Sequence, residues 1–136
     1  MPLDNPRGGI GYAAEFQSSA LPWLTSSVAP AAGSPISYAF PKVTRFLTIT
    51  NRDAAFANSL SFGFTYNGVK FSSNKFVLQG GQSVTIEIRI KELWLQGETG
   101  TPAFSVCAGL TTVDARDMPL LSGTLQDGTP GWPGVG

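Results

Sequence analysis

Between Lys42 and Leu110 apolar side chains recur at every second position, a period that suits strands with one buried face and is incompatible with long helices. In the run 59–66, Leu60, Phe62, Phe64 and Tyr66 fall on one face and Ser59, Ser61, Gly63 and Thr65 on the other. In the run 83–91, Val84, Ile86, Ile88 and Ile90 alternate with Thr85, Glu87, Arg89 and Lys91. Shorter strand-like segments cover 43–50, 75–78 and 103–110. Asn51-Arg52-Asp53, Asn67-Gly68, Gly80-Gly81 and Gly97-Glu98-Thr99-Gly100 supply turn chemistry between them. After Ile90 the alternation slips by one residue, so that Leu93 and Leu95 take over the apolar face and a bulge or bend is expected near Lys91 or Glu92.

Strands roughly 8 to 12 residues apart, with turns between them, describe an all-β antiparallel sandwich of about six to eight strands, either a single jelly-roll or Ig-like. The sequence divides accordingly. Residues 1–41 carry Pro2, Pro6, Pro22, Pro30, Pro35 and Pro41, spaced so that no useful helix survives, and read as an extended arm rich in Pro, Ala and Ser. Residues 42–123 form the sandwich domain, and 124–136 a Gly- and Pro-rich C-terminal tail. Tyr12, Phe16 and Trp23 in the first arm and Trp132 in the tail are large apolar groups in breaker-rich surroundings, which makes them candidate interface anchors.

The 136-residue chain has room for one domain with its own core. Nine basic residues balance nine acidic ones, and only 13% of the chain is charged, about half the usual share. A surface so neutral has little pull on nucleic acid or anionic lipid, and it solvates itself poorly, so protein partners are expected to cover much of it. No apolar run is long enough for a membrane span, and the start Met1-Pro2-Leu3-Asp4-Asn5 lacks the plan of a signal peptide. The one cysteine, Cys107, excludes an internal disulfide framework and suits a reducing compartment.

Catalytic chemistry finds few residues to use. Histidine is absent, which removes the commonest general base and most zinc sites. Cys107 sits opposite the apolar face of its strand, among Ala103, Ser105 and Gly109, with no basic neighbour in sequence to activate it. Asp114 and Asp117 offer too few oxygen ligands for calcium, and turn capping or pairing with Arg116 is the expected role. The glycine-rich stretches lack the strand-before, helix-after setting of a phosphate loop. The expectation is no enzyme, no cofactor and no bound metal.

Several stretches carry a resemblance. Phe40-Pro41-Lys42-Val43-Thr44-Arg45-Phe46-Leu47-Thr48-Ile49-Thr50-Asn51 is followed by Leu60-Ser61-Phe62-Gly63-Phe64-Thr65-Tyr66-Asn67-Gly68-Val69 and by Phe76-Val77-Leu78-Gln79-Gly80-Gly81-Gln82-Ser83. With Ile90 to Leu95, Ala108 to Thr112 and Met118 to Gly123, the chain over residues 38–123 resembles small β-sandwich minor capsid or vertex, penton-like proteins of large double-stranded DNA viruses that infect algae and protists. The resemblance implies a structural virion protein assembled in the host-cell interior. Its partners would be copies of itself, as a homo-oligomer, or a major capsid protein, with the arms running across neighbours. The competing expectation is a carbohydrate- or receptor-binding module presenting Tyr66, Trp94 and Tyr38 to a glycan.

Overall fold

The computed structural model describes residues 21–71 and 74–118. These form eight strands: β1 (Leu21–Val28), β2 (Ile36–Ala39), β3 (Lys42–Asn51), β4 (Leu60–Gly63), β5 (Phe76–Leu78), β6 (Ser83–Ile86), β7 (Glu92–Gly97) and β8 (Ala103–Asp114). One short helix, α1 (Tyr66–Lys70), follows β4, and a single 3-10 turn, Ala115–Asp117, follows β8.

The strands make two four-stranded sheets, ordered β1-β8-β3-β6 and β2-β7-β4-β5, with every pairing antiparallel. First pairs with last, second with seventh, third with sixth and fourth with fifth. This is the connectivity of a long hairpin folded over on itself, an eight-stranded jelly roll. Of the two sandwich topologies expected from the sequence, the Ig-like one is thereby set aside.

Alternation explains which side chains fill the space between the sheets. Leu47 and Ile49 of β3, Phe104, Val106, Ala108 and Leu110 of β8, Leu60 and Phe62 of β4, and Leu93 and Leu95 of β7 are all buried. Their neighbours Thr48, Thr50, Ser105 and Cys107 face outward, as the period of two requires. Burying each large apolar side chain contributes about 1.5–3 kcal/mol, so this set suffices for a core.

The structure departs from the sequence reading in three places. Residues 21–39, expected within the extended arm, form β1 and β2, which pair with β8 and β7. Prolines there exclude helix but not edge strands: Pro22 lies in β1, an edge strand, and Pro30, Pro35 and Pro41 fall between strands. Residues 21–28 and 36–39 are therefore part of the sandwich. Second, the run 59–66 is a strand only as far as Gly63, because Thr65 caps α1, its hydroxyl accepting from the Gly68 amide at 3.0 Å. Asn67-Gly68, expected as a turn between strands, lies inside that helix. Third, the strand at 83–91 stops at Ile86. Residues 87–91 carry the chain from one sheet to the other, and the bend expected near Lys91 or Glu92 is the end of that crossing.

One buried amide ties the loops at the far end together. Asn51, fully buried at the end of β3, donates from Nδ2 to the carbonyls of Asn58 (2.9 Å) and Leu78 (3.0 Å), and its Oδ1 accepts from the Asp53 amide (3.0 Å). The turn beside it depends on Gly81, at φ +86°, whose amide donates to the Asn51 carbonyl. Replacing Asn51 with Ala orphans two carbonyls and an amide. We expect Asn51→Ala to lower unfolding free energy by about 2–4 kcal/mol with an unchanged denaturant slope, read from urea melts followed by tryptophan fluorescence.

Candidate protein–protein interface

The outer face of the β1-β8-β3-β6 sheet is built from aligned rows. One row runs Ser26, Ser105, Thr50, Ser83 across all four strands, and the next runs Leu24, Cys107, Thr48, Thr85. Their hydroxyls satisfy one another: Ser26 with Ser105 at 2.8 Å, Thr48 with Thr85 at 2.9 Å, Thr50 with Ser83 at 2.8 Å. None of the eight positions is charged. The charges on these strands, Lys42, Arg45 and Asp114, all lie at one end of the sheet. Leu24 is 73% exposed, and Val28, on the same phase of β1, adds apolar surface.

This arrangement matters for desolvation. A hydroxyl taken out of water without a partner costs several kcal/mol on the harshest scales and at least about 1 kcal/mol in proteins. Hydroxyls already bonded across the strands have much less to lose when covered, and no ion has to be stripped of water. A shallow depression of about 500 Å³ over Leu24, Ser26, Thr48, Thr50, Ser105 and Cys107 gives the face some relief for a partner to fit. The thiol of Cys107 lies within it, half-buried, as its strand phase required.

The other sheet is different in kind. On its outer side the rings of Tyr66 and Trp94 meet at 5.4 Å and 75°, and those of Tyr66 and Phe71 at 6.0 Å and 71°. The Lys70 ammonium stands over both Tyr66 and Phe71, 5.2 and 4.8 Å from their centroids, and donates to the Tyr66 hydroxyl at 2.8 Å. The rings are set edge to face rather than side by side in one plane, and Phe71 is 69% exposed. Tyr38, the third residue of the expected glycan platform, points the other way, its ring 5.5 Å from Trp23 and 6.2 Å from Phe104.

Three of the acidic residues are ion-paired. The Asp114 carboxylate caps the 3-10 turn by accepting from the Arg116 amide at 3.0 Å and lies 3.6 Å from the Arg116 guanidinium and 3.9 Å from the Lys42 ammonium. That is the capping and pairing role expected of it. Glu87 pairs with Arg45 at 3.1 Å and Glu98 with Lys75 at 2.8 Å. Among the described residues no group of three or more His, Cys, Asp or Glu side chains could hold a metal ion, and no helix is long and apolar enough to cross a membrane.

Of the four candidate anchors, Tyr12, Phe16 and Trp132 lie outside the described residues. Trp23 does not reach toward a partner from an arm. It belongs to β1 and turns inward, its ring edge-to-face with Phe40 at 4.8 Å and 84°. The exposed neighbour Leu24 is the outward residue of that strand, and the sequence pattern held the signal: in Leu21-Pro22-Trp23-Leu24-Thr25 adjacent apolar residues must face opposite ways once the segment is a strand.

No protein-family model matches the chain, and no curated protein matches it. Among solved structures it is similar to a chain of Bacillus endospore appendages, described as a novel family of disulfide-linked pili, with 11% identity, a TM-score of 0.38, and coverage of 67% of this chain and 88% of that one. A likeness at that level carries no argument.

The inward packing of Trp23 has a direct consequence. Trp23→Ala is expected to cost about 2–4 kcal/mol of stability, whereas Leu24→Ala should leave stability within about 0.5 kcal/mol, both measured by chemical denaturation.

Proposed function

We propose that the protein is a structural component of a virus particle, a minor capsid or vertex protein of the penton type. It packs through the outer face of its β1-β8-β3-β6 sheet against copies of itself or a major capsid protein. The observation that carries the reading is that face: four strands wide, uncharged, with its hydroxyls internally bonded and Leu24 standing proud at its edge. Such a surface gives up little on being covered and gains the burial of Leu24 and Val28.

Two further observations support it. The jelly roll is an architecture that viral capsid domains share with lectins and cupins, so the fold permits the role without deciding it. The resemblance over residues 38–123 points the same way. Particle assembly in the host-cell interior agrees with the free thiol of Cys107. Tyr12, Phe16 and Trp132 serve as secondary contacts to neighbouring subunits in this reading.

The experiment is light scattering of the intact chain, alone and mixed with candidate shell proteins, beside the Leu24→Lys variant and with Cys107 as a reporter. A defined oligomer or complex is expected, with the thiol at least about tenfold slower toward a maleimide in the assembly than in the free chain. Leu24→Lys, on an exposed position, should keep the fold and weaken association by about tenfold or more, because it places an unpaired charge in the contact. A monomer indifferent to shell proteins, with Cys107 equally reactive throughout, would overturn the proposal, and glycan binding by that monomer would put the ligand-binding reading in its place.

A further inference from the structure

In an antiparallel sheet, successive residues of a strand aim their backbone groups alternately at the neighbour on one side and the neighbour on the other. The phase of β1 is fixed at its end. The Ala29 amide donates to the Pro102 carbonyl at 2.8 Å, one step beyond the pair Val28 and Ala103, so the odd-numbered residues of this segment bond toward β8. The same alternation runs on across the sheet: the Arg52 amide donates to the Ala103 carbonyl at 2.8 Å, and the Asn51 amide to the Gln82 carbonyl at 2.9 Å. Leu24, Ser26 and Val28 therefore aim their amides and carbonyls away from β8, toward the side of β1 where no described strand pairs. Pro22 shares their phase. Having no amide, a proline is tolerated there and would break the ladder at the opposite phase, so its position in β1 agrees with the alternation.

Turned end for end, this edge matches itself. With a second copy laid antiparallel about a twofold axis at Ser26, Leu24 of each copy stands opposite Val28 of the other, and the two Ser26 residues face one another. All the outward amides then meet carbonyls. Leu24 and Val28, 73% and 60% exposed, cover each other on the outer face, and hydroxyl meets hydroxyl on the axis. Sliding the copies by two residues sets Leu24 opposite Ser26 or Pro30 and loses the match. β1 carries no charge, so no like charges meet along it. The far edge of the same sheet is a poorer partner: β6 has four residues and, by the same alternation, only Ser83 and Thr85 face outward.

We propose that two copies of the chain pair through β1, antiparallel and twofold about Ser26, joining their four-stranded β1-β8-β3-β6 sheets into one continuous sheet. The hydroxyl row of Ser83, Thr50, Ser105 and Ser26 in one copy runs on into that of the other. The inference does not rest on the capsid reading, because pairing at the edge leaves the outer face open.

The test is light scattering and residue-resolved amide exchange of the intact chain over a range of concentrations, with maleimide labelling of Cys107 as a monitor of the outer face. Mass should rise to a dimer and stop. Between monomer and dimer the amides of Leu24, Ser26 and Val28 should slow by about tenfold or more, while Cys107 reacts at an unchanged rate. Two variants at these exposed positions check the register. Leu24→Lys with Val28→Glu sets opposite charges against each other and should keep the dimer, whereas Leu24→Lys with Val28→Lys sets like charges together and should leave a folded monomer. The pairing is overturned if both variants dimerise alike, if neither does, or if the unaltered chain is a monomer throughout. Edge amides protected in a monomer overturn it by putting the chain's own residues on the edge, and growth past the dimer does so by pointing to head-to-tail pairing of β1 with β6. A dimer that slows Cys107 and leaves the edge amides fast overturns it too, and leaves the capsid reading standing.

Discussion

The structure hangs on the pairing of β3 with β8. These are the two longest strands, they sit side by side in the middle of one sheet, and each contributes buried residues to the core. They are the third and the last of the eight described strands, so their pairing holds together the four strands that lie between them in sequence. Their register is irregular at one end, shifting between Lys42 and Thr44 and again between Thr44 and Phe46. A ladder broken inside a protein leaves backbone groups without partners, at about 1–3 kcal/mol each. A buried hydroxyl takes part of their place: Thr111 donates to the Val43 carbonyl at 2.7 Å and accepts from the Val113 amide at 3.2 Å. On the other side of β3, Thr44 donates to the Ile88 carbonyl at 2.6 Å and accepts from the Ile90 amide at 3.0 Å, which anchors the segment that crosses between the sheets.

Much of this was legible in the sequence. Alternation located β3, β5, β8 and the starts of β4 and β6, and the slip in phase after Ile90 located the crossing. Composition led to a surface poor in charge, and the outer face of the β1-β8-β3-β6 sheet carries its few charges at one end. What could not be read were decisions made by tertiary partners. Prolines in residues 21–41 spoke against helix, and nothing local said that β8 and β7 would recruit the segment as edge strands. The apolar alternation of the run through Tyr66 read as strand to its end; the helix that replaces it after Gly63 seats Val69, fully buried, with its carbonyl accepting from the side chain of Gln96 at 2.9 Å.

The candidate interface was half legible. Thr48, Thr50, Ser105 and Cys107 were assignable to outward phases of their strands, yet their alignment into rows depends on register between strands some fifty residues or more apart, which no single strand encodes. Trp23 shows the same limit from the other side. Its size marked it as an anchor, and the strand phase that turned it inward and Leu24 outward became readable only once β1 was known to be a strand.

The edges show where association is easiest. Unpaired strand edges invite other chains, and short edge strands are a common defence. β2, β5 and β6 follow that pattern at four, three and four residues. β1 does not: it is an edge of eight residues, with Leu24 and Val28 exposed on the side that continues the uncharged outer face. Pro22 removes one amide near its start and leaves the remainder available. The least defended edge and the face cheapest to cover thus meet along one line. Covering the middle of this face, or adding a strand at β1, would strip water from no ion, because Lys42, Arg45 and Asp114 lie at one end.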